Sequence, residues 1–182
     1  MIDFLAAATI LCELAAAAAV LLSIRFPARR IWPPSRPSPW KTCLMGFLFF
    51  FPALGIDALG LAGWGDLGLP AGIRLGLGLP PFTAGMAAFL WAQAVLGFGA
   101  MMGREGDLVV GGPFRLSRNP QYAGCIAMLI GWGFLSGALA AVLASVIALI
   151  PLLLVPFAEE PWLRERYGPA YEGYSRKVRR FL

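Results

Sequence analysis

Two polar stretches of this chain carry residues that can bind a charged ligand. The first is the loop at residues 111–124, with the sequence GGPFRLSRNPQYAG, and the second is the acid pair Glu159 and Glu160. An apolar run without a single charge separates them. If this run folds back on itself, the loop and the acids meet at one membrane face, where arginines can hold an anion and carboxylates a cation.

The loop ends in the start signal of a helix. Asn119 is a strong N-cap residue, and Pro120 suits the first helical position. The free amides of the first turn attract anions, and Arg115 and Arg118 reinforce that attraction. A carboxylate or phosphate would bind well there. The alternative is a capped helix whose arginines reach lipid phosphates, and spacing alone does not choose between them.

The acid pair follows the apolar run directly and precedes Pro161. Two adjacent carboxylates at a membrane exit, facing anionic lipid, require a cationic partner. Arg115, Arg118, an arginine of the C-terminal tail or a cationic ligand would supply it. The alternative is that the two acids cap a tail helix that begins at Pro161.

Composition places these residues in a membrane protein. Of the 182 residues, 59% are hydrophobic and 14% are charged, against about 25% charged in a soluble domain. There is no histidine, and the three cysteines are scattered, so we expect neither a metal site nor a disulfide framework. The net charge is +5, and the basic residues lie beside apolar segments. This arrangement favours anionic lipid rather than nucleic acid as a partner. The richness in Arg, Ala and Gly indicates a bacterial protein, and hence the inner membrane.

The apolar segments predict an all-α bundle of about five membrane spans. The run at residues 123–157 would be roughly 50 Å long as one helix, beyond a ~30 Å hydrocarbon core, so we expect a helical hairpin that turns near residues 133–137. The chain is then one domain, residues 1–182, with three spans in residues 1–103 and the loop, hairpin and helical tail in residues 104–182. The first three spans are predicted at residues 2–24, 42–64 and 83–102, with a linker at residues 66–81.

Polar residues within the spans give further expectations. Glu13 lies near the middle of the first span, where a carboxyl group is costly. We expect a protonated Glu13 satisfied by a neighbouring helix; the alternative is a role on the substrate path or toward a cofactor. Small residues in the third span should permit close packing of helices. These are Gly85, Ala88, Ala92 and Gly99.

Charge bias predicts the orientation. Residues 25–41 carry five basic residues, the polar loop three and the tail six, whereas the second loop carries one. Five spans put the three basic regions on one side, as the positive-inside rule requires. The N-terminus is then outside, and the loop, the acid pair and the tail are cytoplasmic.

The order of these motifs resembles the isoprenylcysteine carboxyl methyltransferase and phospholipid methyltransferase superfamily of integral membrane enzymes. The resemblance covers roughly the last 75 residues and rests on a turn, a helix start, a hairpin, an acid pair and an aromatic tail. The matching segments are GPFR at 112–115, RNPQYAG at 118–124, EEPWL at 159–163 and YGPAYEGY at 167–174, with Val178 and Arg180. Two positions depart from the pattern: Asn119 stands where histidine is common, and Arg179 where proline often precedes the last arginine.

The resemblance implies an S-adenosylmethionine-dependent methyltransferase, which releases S-adenosylhomocysteine. Arg118 and the backbone of residues 119–122 would hold the cofactor's carboxylate. Glu159 and Glu160 would hold its amino group or ribose, and Leu163 and Tyr167 would line the adenine pocket. The implied catalytic residues are Glu160 and Arg180. The implied cofactor-binding residues are Pro113, Arg118, Asn119, Pro120, Tyr122, Gly124, Glu159, Glu160, Leu163 and Tyr167.

The methyl acceptor stays open at this stage. It would be lipophilic and enter from the bilayer, as a carboxylate of the isoprenylcysteine type or as a lipid or small hydrophobic molecule. A carboxylate needs no base, whereas an amine or thiol must lose a proton to Glu13, Glu105, Glu160 or a tyrosine. The competing interpretations are a non-enzymatic membrane protein that keeps the fold and, less favoured, a reductase of the sterol reductase type.

Overall fold

The computed structural model describes residues 1–34, 38–97 and 106–181, and within these ranges the chain is helical without strands. Two short 3₁₀ turns, Pro27–Arg29 and Gly112–Arg115, lie in loops. The α-helices are α1 (Ile2–Arg25), α2 (Pro39–Ala62), α3 (Ala71–Leu96), α4 (Pro120–Ser136), α5 (Leu139–Tyr167) and α6 (Pro169–Lys177). The predicted all-α membrane bundle is therefore confirmed as the fold class.

Four helices of the described chain have the length and composition of membrane spans, namely α1, α2, α3 and α5. The other predicted span, α4, has 17 residues, which places it at the lower end of the length that crosses a ~30 Å hydrocarbon core. Helix α5 has 29 residues, and its last turns carry the acid pair.

The predicted hairpin is present, and its turn lies where glycine was expected. Gly137 has φ +56°, in the left-handed region that glycine tolerates, and it ends α4. Arg74 from α3 caps this end, because its Nε and Nη2 donate to the Leu135 carbonyl at 3.0 and 2.6 Å. The guanidinium also lies 4.4 Å from the centre of the Trp64 ring. Arg74 thus connects the end of α4, through the Leu135 carbonyl, with the Trp64 ring that follows α2.

The prediction of a linker at residues 66–81 was wrong for most of its length, since α3 begins at Ala71. Gly-Leu steps and two internal prolines, Pro80 and Pro81, disfavour a helix in isolation. Packing against α4 overrides that preference. Thr83 adds local support, as its hydroxyl donates to the carbonyl of Leu79 at 2.9 Å.

Helices α3 and α4 pack through two facing pairs of glycines. Gly78 lies against Gly131 and Gly85 against Gly124, and in each helix the two glycines are seven residues apart. A Cβ atom on any of them would lie between 2.6 and 2.9 Å from the partner's carbonyl oxygen. The close approach expected for the third span is thus confirmed at Gly85, while Gly99 lies outside the described residues.

Candidate functional site

A cavity of about 510 Å³ runs through the bundle and joins a polar end, near the loops, to a largely apolar interior. One end, which we call the loop end, is where residues 26–34, 106–119 and 178–181 lie. There the lining includes Asn119, Glu159 and Tyr167. The other end reaches the middle of α1 and the second half of α2, where Glu13 and Asp57 line it. Between them the wall is largely apolar and aromatic.

Glu159 is the acid that faces this cavity. Its Oε1 accepts a hydrogen bond from the Tyr122 hydroxyl at 2.7 Å and another from the Trp32 indole at 2.8 Å. Both of these hydrogen bonds go to Oε1, and none is seen at Oε2 within the described chain. Tyr122 lies in the first turn of α4, so the hairpin does bring the acid pair back to the loop. Two neutral donors orient the carboxyl group and leave one oxygen for a ligand.

Glu160, by contrast, lies outside the cavity lining and is the centre of an arginine cluster. Arg180 binds it with two parallel bonds, Nε at 2.6 Å and Nη2 at 2.9 Å. Arg118 lies 2.9 Å away and Arg164 3.7 Å away. The hydrogen bond to Glu160 raises the pKa of the Arg180 guanidinium. The required cationic partner of Glu160 is therefore supplied by the protein's own arginines.

The C-terminal segment, residues 178–181, binds the polar loop through backbone carbonyl groups. The Arg118 amide donates to the Arg179 carbonyl at 2.8 Å. The Arg180 carbonyl accepts from Asn119 Nδ2 at 3.0 Å and from the Ser117 hydroxyl at 3.2 Å. Asn119 does occupy the N-cap position of α4, but its side chain makes no capping bond. That part of the prediction was wrong, because the docked tail offers the amide a carbonyl partner instead.

The alternative in which the acid pair caps a tail helix at Pro161 was also wrong. Helix α5 continues through Pro161 to Tyr167. The break comes at Gly168, whose φ of +51° is a conformation that residues with a side chain rarely adopt. Helix α6 then begins at Pro169. Both acids are thus fixed on a continuous helix rather than at a helix start.

Tyrosines of the tail close the loop end. The hydroxyl of Tyr167 donates to the Gly106 carbonyl at 2.8 Å, and that of Tyr174 donates to the Phe114 carbonyl at 2.7 Å. Tyr171, which lies between these two tyrosines in the sequence, is buried. Burial raises the pKa of Tyr171 and of Tyr174 to about 12 each. Both phenols are therefore protonated near neutral pH, which argues against either one as a general base.

The first loop contributes residues that the sequence reasoning missed. Trp32 binds Glu159, and the backbone amides of Ile31 and Trp32 donate to the Ser23 hydroxyl at 3.0 and 3.1 Å. Arg30 is buried and pairs with Glu165 of α5 at 3.0 Å. The sequence predicted for this loop only that its basic residues help to set the orientation. Trp32, which stands between Arg30 and Pro33, was the available signal that this loop docks on the protein.

The structure divides the predicted site residues into two groups. One group lines the cavity: Arg118, Asn119, Tyr122, Glu159, Leu163 and Tyr167. The other lies outside the cavity lining: Pro113, Pro120, Gly124, Glu160 and Arg180. Gly124 packs against Gly85 of α3, and Glu160 pairs with Arg118, which lines the cavity. Glu105 lies outside the described residues.

Glu13 does not have the neighbour that was expected for it. It is 2% exposed, and neither carboxyl oxygen has a hydrogen-bond partner within the described chain. A buried polar group without a partner is uncommon and costly. The expected satisfaction by a neighbouring helix is therefore not seen, and Glu13 instead lines the cavity.

Comparison with protein families identifies this arrangement. The model of the phospholipid methyltransferase family matches residues 73–170, which is more than half of the chain. The chain belongs to the phospholipid methyltransferase family. The match to the family spans α3, the loop, the hairpin and the acid pair, which together form most of the cavity wall. No curated protein and no solved structure matches the chain. Family membership and four helices of membrane-crossing character indicate a membrane methyltransferase.

Proposed function

We propose that this protein is an S-adenosylmethionine-dependent methyltransferase that acts on a lipophilic acceptor at the cytoplasmic face of the membrane. The observation that carries the proposal is the cavity of about 510 Å³. It joins a loop end with ionic groups to an apolar interior at the level of the membrane. A polar cofactor and an apolar acceptor can thus approach each other from opposite ends.

The residues of the loop end fit the charges of S-adenosylmethionine. The cofactor carries a carboxylate, an ammonium group and a sulfonium. Arg118 lines the cavity, and its buried Nε has no hydrogen-bond partner in the described chain, so it has a donor available for a carboxylate. Glu159 offers an oxygen to a cation on the same wall. The bound cofactor would supply an electrophilic methyl group.

The protein's own residues would act mainly by positioning. Tyr122 and Trp32 hold the Glu159 carboxyl group in one orientation, and Glu160 holds Arg118. Alignment of the two reacting groups supplies much of the catalysis in a displacement reaction. The apolar wall excludes water, which favours a reaction between opposite charges, as with a carboxylate acceptor.

The orientation in the membrane belongs to the same proposal. The three basic regions support an inner-membrane protein with the N-terminus outside and the C-terminus in the cytoplasm. Anionic lipid headgroups would then contact the exposed arginines of the loop end. Labelling of single cysteines placed at each terminus, in sealed cells, tests this orientation.

Binding of S-adenosylhomocysteine to the purified protein in lipid nanodiscs, measured by calorimetry, tests the cofactor. We expect saturable binding that is at least about tenfold weaker in Glu159→Gln, the change expected when a charge-assisted hydrogen bond is lost. The control is Glu165→Gln, which changes an exposed acid of the same helix that lies outside the cavity lining.

No binding to folded protein would refute the proposal and favour a non-enzymatic membrane protein. Binding of a nicotinamide cofactor instead would favour the reductase. Equal affinity in Glu159→Gln and Glu165→Gln would refute the role of Glu159.

A further inference from the structure

The inner end of the cavity contains a polar group that the proposed methyl transfer does not use. Glu13 is almost fully buried, lines the cavity and has no hydrogen-bond partner within the described chain. A carboxyl group in the middle of a membrane helix normally faces protein or water and has a partner. The missing partner is therefore expected to enter the cavity.

The described side chains beside Glu13 leave its carboxyl group without a hydrogen bond, and the backbone of α2 adds an acceptor. Thr9, one turn earlier in α1, packs against Gly55 of α2, and its hydroxyl makes no hydrogen bond to Glu13. Because the two helices run in opposite directions, Glu13 lies level with Pro52. Pro52 has no amide hydrogen to give to the Leu48 carbonyl, and both residues line the cavity. A ligand group that donates hydrogen bonds would satisfy this end.

Charge distribution along the cavity supports the same conclusion. Glu13 and Asp57 are the ionisable residues that line the inner end. The basic residue among the described lining residues is Arg118, which lies at the loop end and pairs with Glu160. No cationic side chain of the described lining is therefore placed to satisfy Glu13.

The position of Glu13 gives the distance that a ligand spanning the cavity must bridge. Trp32 of the loop end binds Glu159 and is tied to Ser23 near the end of α1. Glu13 lies ten residues before Ser23, which corresponds to about 15 Å along a helix. A ligand that spans the cavity thus has one end near Glu159 and the other about 15 Å deeper.

We propose, building on the proposed function, that the methyl acceptor is an elongated lipophilic molecule with polar groups at both ends. The end near Glu159 accepts the methyl group. The far end carries a hydroxyl or amino group that donates a hydrogen bond to Glu13. Glu13 is then a specificity-determining residue that selects chains with a polar terminus over chains that end in a methyl group.

Three probes of equal chain length test this proposal: dodecanoate, ω-hydroxydodecanoate and ω-aminododecanoate. Their binding to the protein in nanodiscs is measured in the presence of saturating S-adenosylhomocysteine. We expect the hydroxylated or the aminated chain to bind about tenfold more tightly than dodecanoate, as one additional hydrogen bond allows. The arm with the stronger binding identifies the donor group.

Variants of Glu13 provide the controls. Glu13→Leu should bind all three probes alike, whereas Glu13→Gln, which keeps an acceptor oxygen, should retain a preference for the hydroxylated chain. Thr9→Val is the matched control, because Thr9 is buried on the same helix without a hydrogen-bond partner in the described chain but lies outside the cavity lining. It should behave like the wild type.

The two proposals fail in different ways. Binding of S-adenosylhomocysteine together with equal affinity for the three probes, or with no binding of any probe, would overturn the proposal for Glu13 and leave the methyltransferase function standing. A preference that survives in Glu13→Leu would also overturn it. Loss of S-adenosylhomocysteine binding in the wild type would overturn the proposed function itself.

Discussion

Replacement of Glu160 by glutamine separates a structural role from a cofactor-binding role. Glu160 is 5% exposed in its side chain and binds Arg118, whose side chain is 11% exposed, and Arg180, whose side chain is 32% exposed. Removal of one member of a buried ion pair costs about 3–5 kcal/mol, because the remaining charge loses its partner. Glutamine keeps an acceptor oxygen and Arg180 reaches solvent, so we expect the lower end, about 3 kcal/mol.

Thermal unfolding of the variant, followed by the loss of helical circular dichroism, measures this effect. In a chain of this length each kcal/mol shifts Tm by about 2–4 °C, so the expected decrease is about 6–12 °C. Glu172→Gln is the matched control, since the Glu172 side chain is 55% exposed and that of its partner Arg176 is 81% exposed. An exposed ion pair contributes less than about 1 kcal/mol.

A Tm of Glu160→Gln equal to that of Glu172→Gln would refute the reasoning. If S-adenosylhomocysteine affinity fell sharply while Tm stayed unchanged, Glu160 would be a direct cofactor ligand, as the family resemblance implied. A lower Tm with binding recovered at low temperature would establish the arginine cluster as the support of the site.

Three further predictions follow from the packing and the tail. Gly124→Ala should destabilise the bundle by about 3 kcal/mol, since the new Cβ meets a backbone oxygen at 2.7 Å. Gly76→Ala, with open space around it in the same helix pair, should instead stabilise it by up to about 1 kcal/mol in thermal unfolding, because alanine favours a helix over glycine. Tyr174→Phe should cost about 1 kcal/mol by loss of its bond to a carbonyl, and the same assay on Tyr171→Phe, where the structure shows no such bond, should give a smaller change. Because burial raises the pKa of both phenols to about 12, their contribution to stability is complete below pH 10 and is lost as pH rises through 12. Tyrosinate absorbance and Tm, measured together over that range in the wild type, Tyr171→Phe and Tyr174→Phe, check it, and a variant that loses an ionisation near pH 10 would contradict it.

The sequence was most informative where a constraint is local or where length decides the structure. An uncharged run too long for one span predicted the hairpin, and glycines near its middle predicted the turn that Gly137 makes. The order of the motifs predicted the family. The start of the third helix was misplaced because Gly78 and the other glycines before residue 83 lower helix propensity, yet Gly78 also allows a close contact with α4 that stabilises the helix.

Long-range partners were the part that the sequence could not predict. The amide of Asn119 has a strong local preference for capping, but a carbonyl more than sixty residues away takes it. Trp32 binds Glu159 across 127 positions of the chain. Nothing in the spacing of either residue encodes such a contact, since it depends on how the tail and the first loop dock on a finished bundle.

The acid pair illustrates how adjacent residues of one motif acquire different functions. Successive residues of a helix point about 100° apart, so Glu159 and Glu160 cannot face the same environment on a continuous α5. One faces the cavity and binds neutral donors, and the other faces the arginine cluster. Arg118 connects the two sides, because it lines the cavity and also pairs with Glu160. Docking of the C-terminal segment, which brings Arg180 to Glu160, therefore determines how Arg118 is presented to a ligand in the cavity.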